Sequence, residues 1–264
     1  MTATIDVYSL VFTKADLDAA PRAERLFYLM ATGLANEVQM LNKTLAVVVE
    51  SADGGQRIVN QANSAFAMLI LRILSGRLWE GWGVISGASG WLRSAYEPSM
   101  SAVGVAALRD LRTIFNQKGG SFLKRLRDKD AFHSDAEAVE AAYDKMRSDE
   151  ELGEYICRTV GNTLHYSAEL LHYRTLSHIT GEPDHEAAVR LLLTETQRLT
   201  PLFNDVINAF VLVFAERYLS AGLARMKDER ETLVVGSFED QRLSFFSKLP
   251  GNQRTQEDTA VDLA

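Results

Sequence analysis

The 264-residue chain holds one cysteine, five prolines and no long uninterrupted apolar run. Each shortage excludes something. With Cys157 alone, neither an intrachain disulfide nor a cysteine-built zinc cluster can form, which fits a reducing compartment. The most apolar stretch, Val206 to Ala215, contains Asn208 and runs into Glu216 and Arg217. A spanning helix needs roughly 20 apolar residues, so this stretch reads as a core helix. The N-terminus carries Asp6, Asp16 and Asp18 and lacks a basic start ahead of an apolar block, so no secretory signal is read there. The expectation is a soluble, cytoplasmic protein with no membrane association. Positive charge is also short: 28 basic against 35 acidic side chains give a net charge of -7. That balance argues against a protein that coats nucleic acid over its whole surface.

What is present is ordinary globular material, 47% apolar, 24% charged and 9% aromatic, with length enough for one large domain or two small ones. Helical periodicity dominates. After Pro21, Leu26, Met30, Leu34, Val38, Leu41, Leu45 and Val48 recur every three or four residues, a stripe that ends at the turn Asp53-Gly54-Gly55. A second helix is expected over about Val59 to Leu78, burying Phe66, Leu69, Ile70, Ile73 and Leu74. Four glycines then fall within Gly81 to Gly90, flanked or joined by Trp79, Trp82 and Trp91, and read as a hinge with a tryptophan-packed base.

Further helices are expected over Ser99 to Gln117, Ala136 to Met146 and Glu150 to Ile179, with Lys118-Gly119-Gly120 a break and Ser121 to His133 a short segment. Asp184 is placed to cap a helix beginning at His185, which Pro201 kinks or restarts. Leu202, Val206, Phe210, Val213, Phe214 and Tyr218 carry its buried stripe on towards Met226. Thr232 to Val235 is strand-like but too short to make a sheet alone. The fold class is all-α, a single helical bundle of six to eight helices. Residues 1–20 form an N-terminal extension, 21–230 the bundle and 231–264 a C-terminal extension that is polar and disordered from about 251.

Charge is unevenly spread. Between Arg109 and Lys129 seven basic residues face only Asp110 and Asp128, while the rest of the chain carries 21 basic and 33 acidic side chains. An acidic protein therefore has one basic island. A solvated helix face would explain it, and so would a phosphate-contacting patch.

The downstream end of the island carries Arg127-Asp128, with His133 five intervening residues after Arg127. This resembles the Arg-x4-6-His motif of the higher eukaryotes and prokaryotes nucleotide-binding (HEPN) superfamily, in which a polar residue follows the arginine. The resemblance implies a HEPN-like all-α fold and a metal-independent endoribonuclease acting as a homodimer, with RNA or a nucleotide as the anionic partner. His133 would be the general base or acid, Arg127 the phosphate clamp and Asp128 the orienting group, with Lys124, Arg125 and Lys129 binding and steering the substrate. Imidazole titrates near neutrality and can take a ribose 2'-hydroxyl proton, and a guanidinium can hold two phosphate oxygens. No metal and no cofactor are expected. On one ideal helix Arg127 and His133 stand about 240° apart, so an irregular turn or a second chain is needed to bring them together. A non-catalytic HEPN-like module binding a nucleotide or a protein partner is the alternative.

Other constellations are thinner. His165, Glu169 and His172 fall at i, i+4 and i+7 of the expected Glu150 to Ile179 helix, and Glu169 and His172 have a Glu-x-x-His form, but a di-iron site needs a second such pair. The only other match, Glu182 to His185, lies in a turn, although Glu37 could contribute. Cys157 reads as a buried core thiol, and Ser94, Ser99 and Ser101 show no nucleophile elbow.

Overall fold

The computed structural model describes residues 2–51, 56–116, 122–128, 136–157, 161–226 and 230–247. A strand, β1 (Thr2–Tyr8), and a short helix, α1 (Lys14–Asp18), lead into α2 (Arg22–Glu50), α3 (Arg57–Gly87) and α4 (Ser89–Ala95). These are followed by α5 (Ala102–Phe115), α6 (Phe122–Leu126), α7 (Ala136–Tyr143), α8 (Tyr166–Thr180), α9 (His185–Tyr218), α10 (Ser220–Met226) and a strand, β2 (Arg230–Gly236). The chain is an all-α bundle, with β1 and β2 joined as an exposed antiparallel ribbon in which Ile5 opposes Leu233.

The bundle is built around α9. Phe203, Phe210 and Phe214 are wholly buried on it, and α2, α3, α5 and α8 all pack against it. Asp184 caps it, accepting from the backbone N–H groups of Glu186 and Ala187 at 2.7 and 3.0 Å. These bonds hold the Asp184 carboxyl below the usual carboxylate range. The helix runs through Pro201 without a break. Pro21 stands at the N-cap of α2, where its missing N–H costs nothing. Within the α2 stripe, Leu34, Val38, Leu45 and Val48 are buried, but Leu26 and Met30 face outward and Phe27, Tyr28 and Ala31 take the core positions. On α3, Leu69 is likewise exposed.

The structure departs from the sequence reading in several places. Residues 81–90 form no hinge: α3 continues to Gly87 and α4 starts at Ser89. Gly81 is needed for close packing, since a Cβ there would stand 2.4 Å from Leu34 Cδ2 and 3.0 Å from Phe203 Cε1. Trp82 is buried and stacks on Phe115, with ring centroids 5.1 Å apart.

The expected helix over Glu150 to Ile179 begins only at Tyr166. Before it the chain folds back on itself through a bridge in which Tyr155 and Leu164 exchange both backbone hydrogen bonds at 2.9 Å. Cys157 lies beside this bridge, partly exposed, and is not a core thiol. The strand-like Thr232 to Val235 finds its partner in the N-terminal extension.

Beyond β2, residues 241–247 dock on the bundle. Asn63, almost fully buried, accepts from Phe245 N at 3.0 Å and donates to the Ser51 carbonyl at 3.0 Å. Asn162 accepts from Ser247 N at 2.7 Å and donates to its carbonyl at 2.9 Å. Phe245 and Phe246 pack there over Ala62, Ala65 and Leu164. The turn Asp53-Gly54-Gly55, the break Lys118-Gly119-Gly120 and the tail from 251 lie outside the described residues.

By length and apolarity α3 and α9 each contain a window that could cross a membrane, with 44% and 56% of those windows buried in the bundle. The two helices pack against each other and against α2 and α8, and α9 also against α5.

Candidate functional site

The end of the basic island is organised by α6. Leu123 and Leu126 are fully buried, anchoring this short helix against α3 and α8, so Lys124 and Arg125 are turned outward. Lys124 makes no ion pair among the described residues. Arg125 Nη2 donates at 2.8 Å to the carbonyl of Ile179, in the last turn of α8. A cation there satisfies a carbonyl that the helix leaves free and complements the negative end of its dipole.

At Arg127 and Asp128 the helix widens into a π-helical turn. Arg127 Nη1 donates to Asp128 at 2.8 Å and its Nη2 donates to Glu80 of α3 at 3.1 Å. The other Glu80 oxygen accepts from Arg77 at 2.7 Å, and Arg77 also pairs with Glu37 of α2. A chain of alternating charge, Glu37–Arg77–Glu80–Arg127–Asp128, thus crosses the surface from α2 to the end of α6. The bonds to Asp128 and Glu80 push the Arg127 pKa further up, so the guanidinium stays charged. Its Nη1 and Nη2 each keep one further N–H, while Nε is buried with no partner among the described residues.

The structure therefore joins Arg127 to Asp128 and places Lys124 and Arg125 on the preceding turn. His133 and Lys129 lie outside the described residues, as does Lys118.

The C-terminal end of α8, which Arg125 caps, also borders a cavity of about 260 Å³ that the sequence did not signal. Lys145, Arg174 and His178 line it. Lys145 Nζ lies 3.1 Å from His178 Nδ1, and Arg174 holds both oxygens of Glu150 at 2.7 and 2.9 Å. That pairing keeps the Glu150 carboxyl below its ordinary value. Arg174 and His178 stand one turn apart on α8, and Lys145 and Glu150 come from the stretch after α7, so only the fold brings the two pairs together.

The di-iron pattern fails for a simple reason. His165 precedes α8, stands three-quarters exposed, and pairs with Glu154 at 2.6 Å. It shares no helical face with Glu169 and His172. Among the described residues no group of three or more His, Cys, Asp or Glu is placed to hold a metal ion.

Comparison with protein-family models, with curated proteins and with solved structures finds no match. The functional reading therefore stands on the residues themselves.

Proposed function

We propose that the chain is a HEPN-type, metal-independent endoribonuclease that acts as a homodimer. The observation that carries this reading is the placement of Arg127 and Asp128. They lie near the end of the basic run in an irregular, partly exposed turn, side chain joined to side chain, ahead of the segment bearing His133. In the reaction a ribose 2'-oxygen attacks the adjacent phosphorus and the bond from phosphorus to the 5'-oxygen breaks. His133 takes the 2'-hydroxyl proton, and the partner subunit's His133 returns a proton to the leaving 5'-oxygen. Arg127 binds the phosphate through its two remaining terminal N–H groups, held in orientation by Asp128 and Glu80. Lys124 and Lys129 attract the strand. Arg125 acts less directly than its position in the island suggests, because Ile179 already takes one of its donors.

A second reading, a non-catalytic module that binds a nucleotide or a protein partner, is favoured by one specific observation. Two carboxylates, Glu80 and Asp128, already match the charge of Arg127.

The two readings part on one experiment. Purified protein, shown by light scattering to be dimeric, is incubated with single-stranded RNA in EDTA. The nuclease reading expects 2',3'-cyclic phosphate and 5'-hydroxyl ends, with rates falling at least about 100-fold in His133→Ala and in Arg127→Ala. Intact RNA with dimeric wild-type protein overturns it and leaves the binding module.

A further inference from the structure

Three helices converge on a second cavity, of about 530 Å³. Each contributes a pair of side chains spaced i, i+4, which places both on one helical face. Trp82 and Ser86 come from α3, Ser89 and Arg93 from α4, and Arg112 and Asn116 from α5 and its C-cap. Among the described residues no carboxylate lines the cavity.

The two arginines are held differently. Arg112 donates to Glu97 at 2.5 Å, and both side chains are largely shielded, so its guanidinium is fixed in place with donors to spare. Arg93 is exposed and makes no ion pair or hydrogen bond among the described residues. Two guanidinium groups against one carboxylate leave a net positive charge at the mouth. Trp82, stacked on Phe115, is a rigid apolar wall, and the serine hydroxyls and the Asn116 amide supply neutral polar groups. The volume lies within the roughly 300–1,000 Å³ typical of small-molecule sites.

We propose that this cavity binds a phosphate monoester of nucleotide size, with Arg93 and Arg112 on its terminal phosphate. A monoester carries about -1.5 to -2 charges at neutral pH, against -1 for each diester of an RNA backbone, so a pair of arginines selects the terminal group. This site uses none of the residues assigned to RNA cleavage, and it stands or falls separately from that activity.

The test titrates AMP into the full-length protein in a calorimeter at low salt. Saturable binding at one AMP per chain is expected, weakening as salt is raised. Adenosine should bind at least about tenfold more weakly, as should a pentaribonucleotide with hydroxyl ends. Arg93→Gln should lower AMP affinity by at least about tenfold, at unchanged circular dichroism and melting temperature. Arg112→Lys should do the same, since lysine keeps the charge but not the fork held by Glu97. The proposal is overturned if AMP shows no saturable binding below about 1 mM. It fails equally if adenosine or the pentanucleotide binds as well as AMP, or if Arg93→Gln binds as well as wild type.

Discussion

Glu24 shows how one side chain can organise buried polar groups from distant parts of the chain. Its Oε2 accepts from Tyr218 at 2.9 Å and from Tyr96, whose ring is fully buried and carries the Arg217 guanidinium 4.3 Å above its centroid. Burial, and then the bonded Glu24 carboxylate, push the Tyr96 phenol far above its ordinary value. Burial likewise raises Tyr28, Tyr166, Tyr173 and Tyr218. A group that holds its proton more tightly when folded adds stability that is complete below its unfolded pKa, about 10 for tyrosine, and is lost as pH rises beyond it. Stability should therefore be insensitive to these five phenols up to about pH 10 and decline above it. A titration at 295 nm checks this. Their phenolate absorbance should appear at higher pH than that of the other three tyrosines, and ionisation of all eight together near pH 10 in the folded protein would contradict it.

Within the helices, the glycines at 81–90 are of two kinds. A Cβ on Gly81 meets Leu34 and Phe203 where α3 crosses α2 and α9, while one on Gly83 meets nothing within 4 Å. Gly81→Ala should destabilise by about 1–3 kcal/mol, the usual cost of overpacking. Gly83→Ala should stabilise by about 0.4–1 kcal/mol, because alanine has less freedom to lose on folding. Urea denaturation of the two variants measures both, and equal effects would return these glycines to a common hinge. Gly104 repeats the close approach on α5, where a Cβ would stand 2.2 Å from that of Ala209 on α9.

Across the whole molecule, β1 pairs with β2 in an exposed ribbon, whereas residues 241–247 dock on the bundle. The second contact covers Ala62, Ala65 and Leu164 and satisfies Asn63 and Asn162. Truncation after Asp240 should therefore cost more than the loss of a loose tail. The hydrogen bonds of Asn63 and Asn162 to this segment are lost at about 0.5–1.5 kcal/mol each, together with the apolar cover of Phe245 and Phe246, and for a domain of this size each kcal/mol lowers Tm by about 2–4 °C. Removal of residues 1–8 should cost far less, since an isolated two-stranded ribbon is marginal on its own. Scanning calorimetry of the two truncations gives the order, and the reverse order would overturn it.

How much of this was legible in the residue order follows from the range of each interaction. Helical spacing, the Asp184 cap and the proline at the start of α2 are local, so the all-α class and the long helices could be read directly. The Arg127-Asp128 pair was legible because its partners are chain neighbours. Helical spacing did not foresee the bridge from Tyr155 to Leu164, which interrupts a helical pattern by pairing backbone nine residues apart. Nor could it show that Gly81 makes a contact rather than a hinge, since the atoms that forbid a side chain there belong to α2 and α9. Net charge told the same story in two steps. The sequence located a basic island within an acidic chain. Packing then set Arg127 against Glu80 and Asp128, spent an Arg125 donor on Ile179, and brought Arg93 and Arg112 to one cavity. Formal charge belongs to residues, but whether a charge is matched or available depends on what folding places within a few ångströms of it.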